Sequence, residues 1–196
     1  MRVIGGTSRG RRLHAPERPG LRPTSDRVRE AIFDILGSLG GVEGLDVVDL
    51  FAGSGALGIE ALSRGAASAT FVESDRKAVI AIEENLASTG FPLPGPRGRG
   101  MPPPPPPDPD APTVRVVRGD AVAFAASGAR FDVALCDPPY DFEAWEALLT
   151  VLEASIGVLE SRDPVEVPER FEVHRVYKYG GTLVTLVRAS APKGTE

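Results

Sequence analysis

The chain has 196 residues, 42% of them hydrophobic, which is enough for one globular domain with a real core and too few for two large ones. A formal net charge of -5 argues against a uniformly basic nucleic-acid binder; one cysteine, Cys136, excludes an internal disulfide, and His14 and His174 cannot complete a Cys/His zinc cluster, so no metal is predicted. No apolar run serves as a signal peptide or approaches the roughly 20 residues that span a bilayer, which predicts a cytoplasmic protein.

Charge is uneven along the chain. Residues 1–30 carry eight arginines against Glu17, Asp26 and Glu30, a local +5 that leaves -10 on the rest. A basic arm on an acidic body holds phosphates locally while the body stays soluble, and Arg9, Arg11 and Arg12 are the candidate contacts. The alternative is a solvated, arginine-rich surface. RVIGG and RRLHA, within residues 2–15, read as two short strands around a Gly/Ser turn. RPTSDRVREAIFDIL places a capping residue, Thr24 or Ser25, ahead of Val28, Ala31, Ile32, Ile35 and Leu36 at helical spacing.

Asp46 to Phe51 reads as a short buried strand, Gly53 to Gly55 as a tight turn and Ala56 to Arg64 as a helix. SATFVES (68–74) is a second strand and Arg76 to Thr89 a second helix, and this alternation demands a right-handed parallel crossover. Residues 92–112 contain eleven prolines, six of them consecutive at 102–107, and predict an extended or disordered insertion that packs no core. VRVVRGDA (114–121) is a third strand followed by a short helix, and Phe131 to Cys136 a fourth. A helix over 143–154 and a fifth strand, SIGVLES (155–161), come next. In FEVHRVYKYGGTLVTLVRA two β-rich runs flank Gly180-Gly181, which predicts a hairpin closed by a type I′ turn.

Gly53-Ser54-Gly55-Ala56-Leu57-Gly58 fits the dinucleotide fingerprint G-x-G-x-x-G, yet three features oppose NAD. Asp49, four residues before Gly53, stands where dinucleotide-binding strands are apolar, and suits an ammonium group at the strand's carboxyl end. The chain ends in an antiparallel hairpin where a NAD-binding fold continues in parallel units. Third is Asp137-Pro138-Pro139-Tyr140, placed at the carboxyl end of the fourth strand, the edge at which open α/β sheets carry their sites. An exocyclic amine on a nucleobase is a poor nucleophile because its lone pair is delocalised into the ring. The Asp137 carboxylate and the Pro138 carbonyl, aimed at its N–H bonds, localise that pair and take up developing positive charge, while two prolines fix the backbone. Tyr140 offers a face on which a flipped base stacks. The plainer alternative is a strand-ending turn with Tyr140 in the core.

RVIGG-x-x-RGRRL, RPTSDRVREAIFDIL, DLFAGSGALGIEALSRGA, FVESD and DPPY together resemble the bacterial 16S ribosomal RNA guanine-N2 methyltransferases of the small-subunit methyltransferase D type, over nearly the whole chain outside 92–112. The resemblance implies an α/β, Rossmann-like, S-adenosylmethionine-dependent fold with a mostly parallel seven-stranded sheet and a C-terminal antiparallel hairpin. It also implies methylation of a guanine exocyclic amine in small-subunit ribosomal RNA. On that reading the turn Ala52, Gly53, Ser54 and Gly55 lets the backbone approach the cofactor's methionine part and Asp49 faces its amino group. Glu73 accepts from both ribose hydroxyls, and Asp120 accepts from the adenine amine with Ala121 packed nearby. Arg22, Thr24 and Asp26 resemble the family's segment over the methionine end. For Asp120 a helix N-cap is the competing role, and for Thr24 a capping role. The proline-rich segment has no counterpart in the family pattern.

Two other functions stay open on residues alone. An adenine-N6 DNA methyltransferase also uses DPPY, although 196 residues leave no room for a separate target-recognition domain. A non-catalytic RNA-binding assembly factor that keeps the fold has no need of Asp137, Tyr140, Glu73 and Gly53/Gly55 together.

Overall fold

In the computed structural model, which describes residues 1–15, 26–93 and 111–190, the sheet is organised around two strands with no polar solvent face. These are β1 (Asp46–Leu50) and β4 (Arg130–Cys136), whose central residues are buried on both sides. Continuous apolar character is what a parallel strand covered by helices on both faces requires. Around them run α1 (Asp26–Ser38), α2 (Ala56–Ser63), β2 (Ser68–Glu73), α3 (Arg76–Thr89), β3 (Thr113–Arg118), α4 (Ala121–Ala125), α5 (Trp145–Val151), β5 (Glu153–Ser161), β6 (Phe171–Tyr179) and β7 (Thr182–Ala189). The seven strands are ordered β3-β2-β1-β4-β5-β7-β6. Those from β3 to β5 are parallel, and β7 pairs antiparallel with both β5 and β6.

The chain steps outward from β1 to β3, then crosses back to place β4 on the other side of β1. That reversal is the topological switch point at which ligands bind open α/β sheets. Register makes it specific: Leu50 lies opposite Cys136, so the segments that begin at Phe51 and at Asp137 leave the sheet side by side.

Both faces are covered. On one, α1 and α2 bury Ile32, Phe33, Leu36, Leu57 and Ala61 against Val47, Val133, Leu135, Val158 and Val184. On the other, α4 and α5 bury Ala121, Ala125, Leu148 and Leu149 against Val48, Leu50, Ala134, Cys136 and Leu159. Cys136 packs there as a small hydrophobe, and burial pushes its thiol far up. A third cluster joins Ile59, Phe71, Ile82 and Leu86 to Val3 and Leu13 of the N-terminal segment.

Four local expectations need correction. The two N-terminal strands reduce to one antiparallel bridge, Arg2 with Arg12, because side chains of α1, α2 and α3 take up much of the segment's backbone. The helix placed at 143–154 ends at Val151, since Glu153 and Ala154 already pair with Arg130 and Phe131 in the sheet. The third strand stops at Arg118, where Gly119 and Asp120 turn the chain into α4. At the hairpin tip Gly180 alone has a left-handed φ, 63°, so the turn is not type I′; a first-position glycine is what type II′ uses. Most of the proline-rich insertion, residues 94–110, lies outside the described residues.

Candidate active site

The glycine run owes its composition to three constraints. Gly53 and Gly55 have φ of 56° and 77°, values that cost an L side chain energy. Gly58 has an ordinary φ but no space, since a Cβ there would stand 2.3 Å from Cε1 of Phe71. The third glycine therefore lets α2 lie directly on β2, as in dinucleotide-binding folds. Phe51 also holds a positive φ, 64°, which marks strain beside a site. Its ring packs edge-on against Phe142 at 4.9 Å, and Phe142 against Trp145 at 5.2 Å. Phe142 N–H donates to the Pro139 carbonyl at 2.9 Å, so this aromatic row fastens the DPPY turn to the strand-end of β1.

Two carboxylates occupy amides that a phosphate would need. Glu73, at the end of β2, accepts from Gly53 N–H through Oε2 at 2.9 Å and from Asp75 N–H through Oε1 at 2.8 Å. Asp49, 1% exposed, accepts from Gly58 N–H through Oδ2 at 2.8 Å, inside the first turn of α2. Burial, with smaller contributions from Asp137 and Glu73, holds its carboxyl well above the usual range in spite of that bond. Asp120 caps α4, its Oδ1 accepting from Ala123 N–H at 2.8 Å, with Ala121 buried in the helix's first turn.

Asp137 is half-buried and Pro138 buried, whereas Tyr140 keeps 46% of its surface exposed. Its hydroxyl lies 3.4 Å from Thr182 Oγ1, and the guanidinium of Arg162 sits 4.7 Å from its ring centroid. One face of the ring is thereby held by a cation–π contact. Next to Asp137, at the end of β5, is Glu160, 5% exposed; burial and the Asp137 charge push its carboxyl up to about 8. Across the strand order β2, β1, β4, β5 the carboxyl edge thus carries Glu73, Asp49, Asp137 and Glu160.

The basic arm is anchored in detail. Glu60, fully buried in α2, accepts from Ile4 N–H at 2.8 Å and Gly5 N–H at 2.7 Å, and pairs with Arg64 at 2.8 Å. Asn85, fully buried in α3, accepts from His14 N–H at 2.8 Å and donates to the His14 carbonyl at 2.7 Å and to the Ser54 carbonyl at 2.9 Å. Arg9 and Arg12 are exposed beside clefts of about 270 and 610 Å³, while Arg11 donates to the Ser88 carbonyl at 2.7 Å. Arg22 and Thr24 lie outside the described residues.

The structure thus brings Ala52, Gly53, Ser54, Gly55, Asp49, Glu73, Asp137, Pro138 and Tyr140 to one edge of the sheet, with Asp120 and Ala121 beyond β2 at the start of α4. Sequence reasoning missed Phe142, Arg162, Glu160, Glu60 and Asn85. A signal existed for the last two, since each is a polar residue on an otherwise apolar helical stripe.

Fold and site define a Rossmann-like methyltransferase, and comparisons with known proteins agree. The family model described as Conserved hypothetical protein 95 matches residues 1–188. The chain is 36% identical to ribosomal RNA small subunit methyltransferase D of Escherichia coli K12, over 97% of this chain and 91% of the relative. Among solved structures it resembles yhhF of Escherichia coli, with a TM-score of 0.76 and 34% identity over 97% of this chain and 98% of the other. It also resembles the hypothetical protein TTHA0928 of Thermus thermophilus, with a TM-score of 0.74 and 30% identity over 96% and 99%. The chain belongs to the ribosomal RNA small subunit methyltransferase D family. Among the described residues no helix is long and apolar enough to cross a membrane, and no group of three or more His, Cys, Asp or Glu is placed to hold a metal ion.

Proposed function

We propose that this protein transfers a methyl group from S-adenosylmethionine to the exocyclic N2 amine of a guanine in small-subunit (16S) ribosomal RNA. The observation that carries the cofactor is the occupation of Gly53 N–H by Glu73 and Gly58 N–H by Asp49. With both amides already taken by side-chain acceptors, no donor is left there for a pyrophosphate, and the acidic side chains suit a cofactor bearing a sulfonium and an ammonium. Ala52 to Gly55 would hold its methionine end, Glu73 the ribose hydroxyls, and Asp120 the adenine amine beside Ala121. Asp49 would act through α2, fixing its first turn by accepting from Gly58 N–H. When bound, the cofactor supplies an electrophilic methyl group.

This chain's own contribution is positioning and charge. Asp137 and the Pro138 carbonyl would accept the two N–H bonds of the amine and so localise its lone pair, and the open face of Tyr140 would stack the base. So held, the amine nitrogen would present its lone pair to the methyl group that the cofactor would supply, the displaced bonding pair staying with the cofactor's sulfur. The amine, acidic once methylated, gives its proton to Asp137. The deciding experiment is transfer of labelled methyl to purified small subunits and to naked RNA, followed by nucleoside analysis. N2-methylguanosine is expected, and label on adenine N6, or none at all, overturns the reading.

Two variants examine its parts. Glu73→Ala should weaken S-adenosylmethionine binding by about 1–3 kcal/mol, because hydrogen bonds to a charged acceptor are lost. Calorimetry that finds unchanged affinity, or tight NAD binding instead, refutes the assignment. Replacing Arg9 and Arg12 with Ala should weaken RNA binding and flatten its salt dependence by up to about two phosphate contacts, with cofactor affinity unchanged. An equal salt slope would leave these arginines as solvated surface.

A further inference from the structure

Glu160 has no part in the reaction as described, yet its place is unusual. No hydrogen bond reaches its buried Oε2. An unpartnered buried polar atom is costly to a fold and rare enough to require a reason. Register supplies the location: Cys136 pairs with Leu159, so Glu160 is the next residue of β5 and Asp137 the first after β4. Alternation supplies the face, because Val158, two residues earlier, packs with Leu135 on the α1 and α2 side.

Resting on the guanine reading above, we propose that Glu160 is a specificity-determining residue of the base pocket, pairing with the ring N–H and carbonyl oxygen of the guanine whose amine Asp137 holds. Adjacent strands are about 4.8 Å apart, which sets two neighbouring carboxyls at a spacing suited to the two ends of one purine edge. Beside Asp137 and out of water, the Glu160 carboxyl is pushed toward its protonated form, which offers one O–H donor and one C=O acceptor. A ring N–H next to a carbonyl is the complement of that group. Glutamine presents the same donor and acceptor pair, and leucine fills the volume with neither.

The test compares Glu160→Gln, Glu160→Leu and the unaltered protein on small-subunit RNA carrying guanine or 2-aminopurine at the mapped target. 2-Aminopurine keeps the reactive amine and lacks both the carbonyl oxygen and the ring N–H. Glu160→Gln should keep kcat/KM on guanine within about threefold, whereas Glu160→Leu should lower it about 10- to 100-fold, the range for two lost hydrogen bonds. On 2-aminopurine the leucine variant should lose no more than about threefold, because the paired groups are already absent. S-Adenosylmethionine affinity should stay within about threefold, and the Tm of the leucine variant should not fall, since a buried carboxyl with one oxygen lacking a hydrogen bond has been replaced by an apolar group. Equal losses of the leucine variant on both bases, a glutamine variant as impaired as leucine, or a fully active leucine variant would overturn the role of Glu160. If the unaltered protein labels no guanine N2, the proposed function itself fails, a distinct result.

Discussion

Asp137→Ala should lower turnover at least about a hundredfold, roughly 2.7 kcal/mol of transition-state stabilisation, while S-adenosylmethionine affinity changes little. The size follows from what the carboxylate does. A guanine amine has almost no free lone pair until an acceptor draws its N–H bonds away from the ring, and positive charge then grows on nitrogen during transfer. A preorganised anion in a partly dry site stabilises that charge far more than water does. The Pro138 carbonyl remains in the variant and accounts for residual activity. Single-turnover transfer to small subunits, with calorimetry for the cofactor, measures both quantities, and turnover close to that of the unaltered protein would remove Asp137 from the chemistry.

Glu60→Ala should cost on the order of 3–5 kcal/mol of stability, the usual loss when a buried ion pair is broken and one charge is left behind. Here the charge left behind is Arg29, whose side chain is fully buried and whose Nε lies 3.8 Å from Glu60 Oε2. Arg29 keeps hydrogen bonds to the Arg2 carbonyl and, at 2.9 Å, to Asp26, but Ile4 and Gly5 lose the acceptor for their N–H groups. Urea denaturation reads the loss, and limited proteolysis should find the N-terminal segment released before the sheet unfolds. A midpoint unchanged from the unaltered protein would show that the arm does not need Glu60.

How far these features are legible in sequence depends on the range of the forces that set them. The parallel units from β1 to α3 are plain because burial dictates their periodicity: VVDL is apolar throughout apart from Asp49, and Ala78, Ala81, Ile82 and Leu86 trace one helical face. The candidate site is half-legible for a related reason. GSGALG and DPPY are local motifs whose chemistry can be argued residue by residue, but their adjacency depends on a crossover that brings Leu50 beside Cys136 across 86 residues of chain. Glu160 and Arg162 matter through neighbours on β4 and its following turn, and nothing within SIGVLESR announces those neighbours. Ends of elements are less legible still. Leu152 to Ala154 continue a helical pattern by composition, and pairing of Glu153 with Arg130 decides the matter in favour of the sheet. The turn at Gly180-Gly181 reads only as a request for positive φ, without saying at which glycine.

The anchoring of the N-terminal arm has a consequence for the order of events during synthesis. Every described hydrogen-bond partner of residues 1–14 that lies elsewhere in the chain, including Arg29, Ser54, Glu60, Ser63, Asn85, Ser88 and Thr89, lies before Gly90. A nascent chain of that length, once clear of the exit tunnel, therefore already contains the arm, the glycine turn and the helices that clamp them together. Asp137, Tyr140 and Glu160 come later, on strands that add to the opposite edge of β1. At about 5–20 residues per second the two halves are separated by several seconds of elongation, long compared with helix formation and loop closure. The arm and the glycine turn are thus clamped together before Asp120, Asp137 and Glu160 exist.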